Sequence, residues 1–99
     1  MSAVIYEGTV GLVIDVRIDG VDSLEGVTEA KLHVLEPGAE TEVDWSVDVK
    51  VGNRLFRHIV AQESPLKAGR YRIQPSFRLG DFSGRFTPVI LDVASTYSD

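Results

Sequence analysis

A Ser-His-Asp set needs a histidine beside both a nucleophile and an orienting acid, and this chain of 99 residues has two histidines, His33 and His58. No Gly-x-Ser-x-Gly elbow accompanies either of them. His33 alternates with Leu32 and Val34, and His58 lies between Arg57 and Ile59, so both read as solvent-facing or rim residues. Asp15, Asp19, Asp22 and Glu25 form the most acidic cluster. Calcium wants several such oxygens, but the spacing is not that of an EF-hand loop, and a solvated loop is the plainer reading. Nothing sets two acids across a cleft for glycoside hydrolysis. Glycines 8, 11, 20 and 26 precede no helix, so no phosphate-cradling loop is implied. No cysteine is present, which removes thiolate metal sites and disulfides. The chain is therefore read as a non-enzyme with no catalytic residue, cofactor or metal.

Arg54, Arg57, Arg70, Arg72, Arg78 and Arg85 raise the question of nucleic acid, but a net charge of −5 opposes a phosphate footprint. The charge is unevenly placed, with 11 acids and 3 bases in residues 1–52 against 4 acids and 7 bases in residues 53–99. No apolar run approaches the roughly 20 residues of a membrane span, and the first residues show neither a basic n-region nor an apolar h-region of a signal peptide.

The elements that must position these residues are strands. Leu12, Ile14, Val16 and Ile18 share one side of a period-two segment, with Asp15, Arg17 and Asp19 on the other. From Val43 to Val51 every odd position is apolar, including Trp45. Such alternation marks half-buried antiparallel strands. Turn signals at Gly20 to Gly26, Pro37-Gly38, Gly52-Asn53, Ser64-Pro65 and Leu79 to Gly84 divide the chain into strands near 3–7, 10–18, 28–36, 41–51, 54–61, 69–79 and 85–94. The spacing and count match an all-β, immunoglobulin-like antiparallel β-sandwich of about seven strands. One domain spans 1–99, with an ordered core near 3–94 and a frayed tail from Ala94 to Asp99.

Leu66-Lys-Ala-Gly69-Arg-Tyr71 looks like a tyrosine corner, in which a tyrosine hydroxyl returns to the preceding turn. That placement turns Tyr71, Ile73, Phe77 and Leu79 inward and Arg70, Arg72 and Arg78 outward. Pro75 then falls in mid-strand, where its missing N–H requires a bulge or an unpaired side. In this topology the fifth strand lies between the second and fourth, so acidic strands flank a basic one, and most of the charge contrast becomes internal pairing. Arg70, Arg72 and Arg85 remain as an expected interface toward an acidic surface bearing Asp44 and Asp48.

The segment from Ile5 to Ile14, followed by Asp22 to Thr28, resembles the N-terminal domain of bacteriophage baseplate upper proteins. Trp45, the Leu66-x-x-Gly69-x-Tyr71 corner and the Gly80 to Gly84 hairpin stand where that family has an alternating fourth strand, a corner and a late glycine-rich hairpin. The resemblance implies a non-enzymatic phage or prophage structural protein, an immunoglobulin-like module of a tail or virion assembly. It would be made in the bacterial cytoplasm and carried in the virion, with other phage structural proteins or its own copies as partners. The rival expectation is a small carbohydrate-binding module whose aromatic platform is Phe82, Phe86 or Tyr97.

Overall fold

A computed structural model describes residues 4–96. Tyr97 and the last part of the expected tail lie outside the described residues, as does the start of the strand expected at 3–7. The described chain is all-β, with nine strands: β1 (Ile5–Tyr6), β2 (Val13–Arg17), β3 (Thr28–Leu35), β4 (Val43–Trp45), β5 (Asp48–Lys50), β6 (Leu55–Ile59), β7 (Gly69–Leu79), β8 (Phe82–Arg85) and β9 (Val89–Ala94). One sheet has the order β1-β9-β7-β3-β4, with β8 also paired to β7; the other has the order β2-β6-β5. The β1–β9 pairing is parallel and the others are antiparallel. No helix among the described residues is long and apolar enough to cross a membrane.

The alternation works as pattern reasoning requires. Val16 and Ile18 are buried, and Leu12 and Ile14 pack against the same core. Along β7, Tyr71, Ile73, Pro75 and Phe77 are buried while Arg70, Arg72 and Arg78 are exposed. The core joins the two sheets: Val16 and Phe56 come from the smaller one, and Leu32, Val34, Tyr71, Ile73, Phe77 and Val93 from the larger.

Nine strands replace the expected seven because one expected strand divides and one expected loop supplies a strand of its own. The segment 41–51 divides at Ser46-Val47: β4 pairs with β3 in one sheet and β5 pairs with β6 in the other. Trp45, Val47 and Val49 all pack against the core across the break, so apolar alternation continues while the backbone changes sheets. At the other end, the expected loop from Leu79 to Gly84 is mostly strand. Leu79 pairs with Phe82, which leaves Gly80-Asp81 as a two-residue turn.

The junction between β8 and β9 resolves the mid-strand proline. Ser76 pairs with Arg85 and Ile73 with Val89, so β7 advances three residues while its partner advances four. This is a one-residue bulge, and it lies beside Pro75. The Pro75 carbonyl accepts the Phe86 N–H at 2.9 Å. Pro75 has no N–H to return to the Phe86 carbonyl, and the side-chain amide of Gln74 donates to it instead at 2.8 Å.

At the corner, the buried Tyr71 hydroxyl accepts the Lys67 backbone N–H at 2.7 Å. Gly69 has φ +126°, and an added Cβ there would lie 2.6 Å from Pro37 Cβ. The glycine therefore seats the turn of one loop on the corner of another.

The expected fraying does not extend over residues 94–96. One Glu7 carboxylate oxygen accepts the Thr96 N–H at 2.9 Å, the Thr96 hydroxyl at 3.0 Å and the Ser95 hydroxyl at 3.2 Å. Ala94 itself ends β9 and pairs with Tyr6. Ser95 and Thr96 are held because their hydroxyls and the Thr96 N–H converge on one acceptor.

Candidate functional site

Arg57 of β6 stands opposite Asp15 of β2 on one side and Asp48 of β5 on the other. It makes a two-pronged contact with Asp15 at 2.8 and 3.0 Å. The basic strand between acidic neighbours thus has a specific register, and Arg85 to Glu42 and Lys67 to Glu36 add further pairs between the two halves of the chain.

These contacts set a direction of pH dependence. The Arg57 guanidinium holds the Asp15 carboxyl below its ordinary value, and the Thr96 N–H and hydroxyl do the same for Glu7. A carboxyl depressed in the folded state stabilises above its unfolded pKa and loses that contribution as pH falls through its folded pKa. Stability should therefore hold from neutrality down to about pH 5 and decline further down, through the ordinary carboxylate range and beneath it. Urea midpoints taken at successive pH values check this, and in Asp15→Asn the decline should be shallower than in the parent chain.

The expected interface residues do not form one surface. Arg70, Arg72, Arg85 and Asp44 alternate away from the core on the larger sheet, whereas Asp48 belongs to the smaller one. The strand switch at Ser46-Val47 separates the two aspartates. Most of the set is also already paired: Arg70 with Asp92 at 2.9 Å, Arg85 with Glu42 at 3.0 Å, Asp48 with Lys50 at 2.7 Å, and Asp44 with Lys31 at 3.4 Å. Of the three arginines, Arg72 alone makes no ion pair or side-chain hydrogen bond among the described residues. Its register neighbours are Leu35 on β3 and Ile90 on β9.

The same outer face holds the most chemically organised group. His33 on β3 is in register with Asp44 on β4 and Gln74 on β7. One row along, Ser76 on β7 is in register with Lys31 on β3 and Arg85 on β8. Paired residues on one face lie close enough for their side chains to interact, and diagonal neighbours remain within reach of longer ones. His33 Nδ1 lies 3.2 Å from Asp44 Oδ1, and His33 Nε2 lies 2.7 Å from Ser76 Oγ. A carboxylate only accepts, so Nδ1 carries the proton of the neutral ring and Nε2 accepts from the Ser76 hydroxyl. This corrects the solvent-facing reading of His33, whose side chain is only 12% exposed. It is covered because neighbouring strands bring it partners on both sides.

Beside Ser76 the β3–β7 ladder is irregular. Thr28 pairs with Arg78 and Lys31 with Ser76, so β3 contains one extra residue there. Glu29, within this bulge, has φ 55°, a left-handed conformation uncommon outside glycine. Next to the bulge is a concavity of about 310 Å³ whose polar walls are Glu29, Lys31, His33, Ser76, Ser83 and Arg85.

Other expected residues have different places. His58 stacks on Trp45, with centroids 4.3 Å apart and planes 12° from parallel, and its Nδ1–H donates to the Ser46 carbonyl at 2.9 Å. Asp15 and Asp19 are engaged by Arg57 and Arg17. Phe82 and Phe86 meet edge to face at 5.2 Å, and both pack against buried Phe77. These two phenylalanines close one end of the core rather than presenting a flat platform together.

Compared with known family models, with curated proteins and with solved structures, the chain matches none of them.

Proposed function

We propose that the chain is a non-enzymatic, immunoglobulin-like interaction module of a phage or prophage tail or virion assembly. The strand order supports the immunoglobulin-like reading: β6 lies between β2 and β5, β7 lies beside β3, and the corner tyrosine bonds back to Lys67. The phage setting rests on the resemblance carried by Ile5 to Ile14, Asp22 to Thr28 and the Leu66 to Tyr71 corner. In that setting the protein is made in the bacterial cytoplasm, and its partners are copies of itself or other structural proteins of the particle.

Arg72 carries the interaction reading. Its charge has no partner among the described residues, and it stands between Leu35 and an Ile90 that is 53% exposed. Tyr6, also half exposed, contributes an aromatic ring at the β1 edge of the same sheet. An unpaired arginine flanked by apolar side chains, with an exposed aromatic ring further along the same sheet, has the composition of an energetic centre in a protein interface. Self-association through this face should appear in light scattering as a mass that rises with concentration and falls with added salt. Arg72→Glu should weaken it about tenfold or more, the effect expected of an interface hot spot. A strict monomer at high concentration, indifferent to salt, overturns self-association; an Arg72→Glu chain that associates as tightly as the parent removes this face from it.

A further inference from the structure

The geometry points to Ser76 as a nucleophilic serine, a site on the outer sheet face that takes an acyl group from small activated esters. This goes beyond the interaction reading and does not depend on it. Three strands supply its parts. Asp44 of β4 orients His33 of β3, and His33 Nε2 receives the hydroxyl of Ser76 on β7. Serine at its ordinary pKa is a poor nucleophile, and an adjacent base whose ring is fixed by a third group is the arrangement that activates it.

The surroundings suit the developing charge. Ser76 is in register with a cation on each side, Lys31 and Arg85, and the concavity beside it admits a small ester. Attack of Ser76 Oγ on the ester carbonyl forms the new C–O bond while the hydroxyl proton passes to His33 Nε2. Collapse of the tetrahedral intermediate breaks the bond to the leaving alkoxide or phenoxide, which takes that proton from His33. The products are an acyl-serine and an alcohol or phenol, and no other reactant is needed. β7 is paired on both sides of Ser76, so its local backbone N–H groups are committed to the ladder rather than to an oxyanion. Stabilisation of the intermediate therefore falls to the Lys31 and Arg85 side chains, which Asp44 and Glu42 also hold at 3.4 and 3.0 Å. An activated ester has a better leaving group than the serine alkoxide, so the acyl-serine forms faster than it hydrolyses. The site behaves as a single-turnover acceptor.

The test uses p-nitrophenyl acetate and an alkyl fluorophosphonate on the whole chain, read by intact mass and by the tryptic peptide from Ile73 to Arg78. The expected result is one adduct per chain, located on Ser76, with an early burst of p-nitrophenol. The initial rate should fall about 10²-fold or more in Ser76→Ala and His33→Gln, the range of a positioned general base. Asp44→Asn should lower it by a smaller factor, and exposed Ser64→Ala should leave it unchanged. Thermal melts establish that each variant is folded. If His33→Gln does not fold, Ser76→Ala and Asp44→Asn decide the matter. An adduct rate equal in the urea-unfolded chain, label confined to lysines, or labelling that survives in Ser76→Ala overturns the proposal.

Discussion

Gly69→Ala should destabilise the protein by several kcal/mol and lower its melting temperature by about 10 °C or more. Two independent costs meet at this position. The first is conformational: φ is +126°, a region that side chains with a Cβ rarely occupy, and strain of that kind costs about 1–3 kcal/mol. The second is steric. An added Cβ lies 2.6 Å from Pro37 Cβ and 2.9 Å from Pro37 Cγ, and a pyrrolidine ring cannot swing aside as a flexible side chain does. Overpacking of this sort costs about a further 1–3 kcal/mol. Relief by backbone movement would pull on the turn closed by the Ala39 N–H to the Glu36 carbonyl, or on the corner where Tyr71 accepts from Lys67. For a domain of this size each kcal/mol shifts the midpoint by roughly 4–8 °C. Gly38→Ala separates the two costs. Gly38 also has positive φ, +75°, but nothing lies within 4 Å of its Cβ position. It should show the conformational cost alone, so a chemical-denaturation ΔΔG for Gly69→Ala no larger than that for Gly38→Ala removes the Pro37 contact from the account.

How far the sequence discloses this structure depends on whether a feature lives within one strand or between strands. Alternation is a property of one strand, which is why the inward set on β7 and the buried pair Val16 and Ile18 are legible. The corner is legible because Leu66, Gly69 and Tyr71 are close in sequence, and Gly69 proves to be required by Pro37 as well as by its own turn. The strand switch at Ser46-Val47 is not legible, because apolar residues continue at odd positions through it and the same parity serves either sheet. The extent of β8 is misjudged for a related reason. Two glycines suggest a long loop, but only Gly80 sits in the turn, while Gly84 lies in the ladder opposite Phe77.

The His33 site is the clearest case of information held between strands. Its three residues are local to nothing: Asp44 is 11 positions from His33, and Ser76 is 43 away. Only the register of β3 against both β4 and β7 assembles them, and no motif search on spacing finds a set drawn from three strands. The fixed parity of His33, opposite to Leu32 and Val34, identifies the face it occupies. What covers that face is decided by the neighbours. The same reasoning explains the charged residues: their halves of the chain are visible in the sequence, but whether Arg85 is spare or held depends on Glu42, which reaches it across the sheet at 3.0 Å.

Phe77→Ala should be the most damaging truncation at the end of the core beneath the Ser76 site, at about 3–5 kcal/mol. Phe77 is 2% exposed, and its ring contacts Phe56 of the opposite sheet at 5.6 Å and 82°, Phe86 at 4.7 Å and Phe82 at 5.5 Å. Removing it costs the transfer energy of a buried phenyl, leaves a cavity the rigid ladders cannot close, and breaks the edge-to-face contact that couples the two sheets. Total stabilities of domains are about 5–15 kcal/mol, so the loss is a large share of the whole. Phe82→Ala, at a ring that is 43% exposed, should cost only about 1 kcal/mol. The position of Phe77 adds a second consequence. It lies opposite the β3 bulge that contains Glu29, between Ser76 and Arg78, so its ring supports the ladder irregularity bordering the concavity. Loss of the ring should loosen the pairing of Lys31 with Ser76 before the corner at Tyr71 is affected. Amide exchange resolved by residue distinguishes this from uniform destabilisation: protection should fall first at Lys31 and Ser76, and an equal fall at Tyr71 and Val93 would show that the loss is shared by the whole sheet.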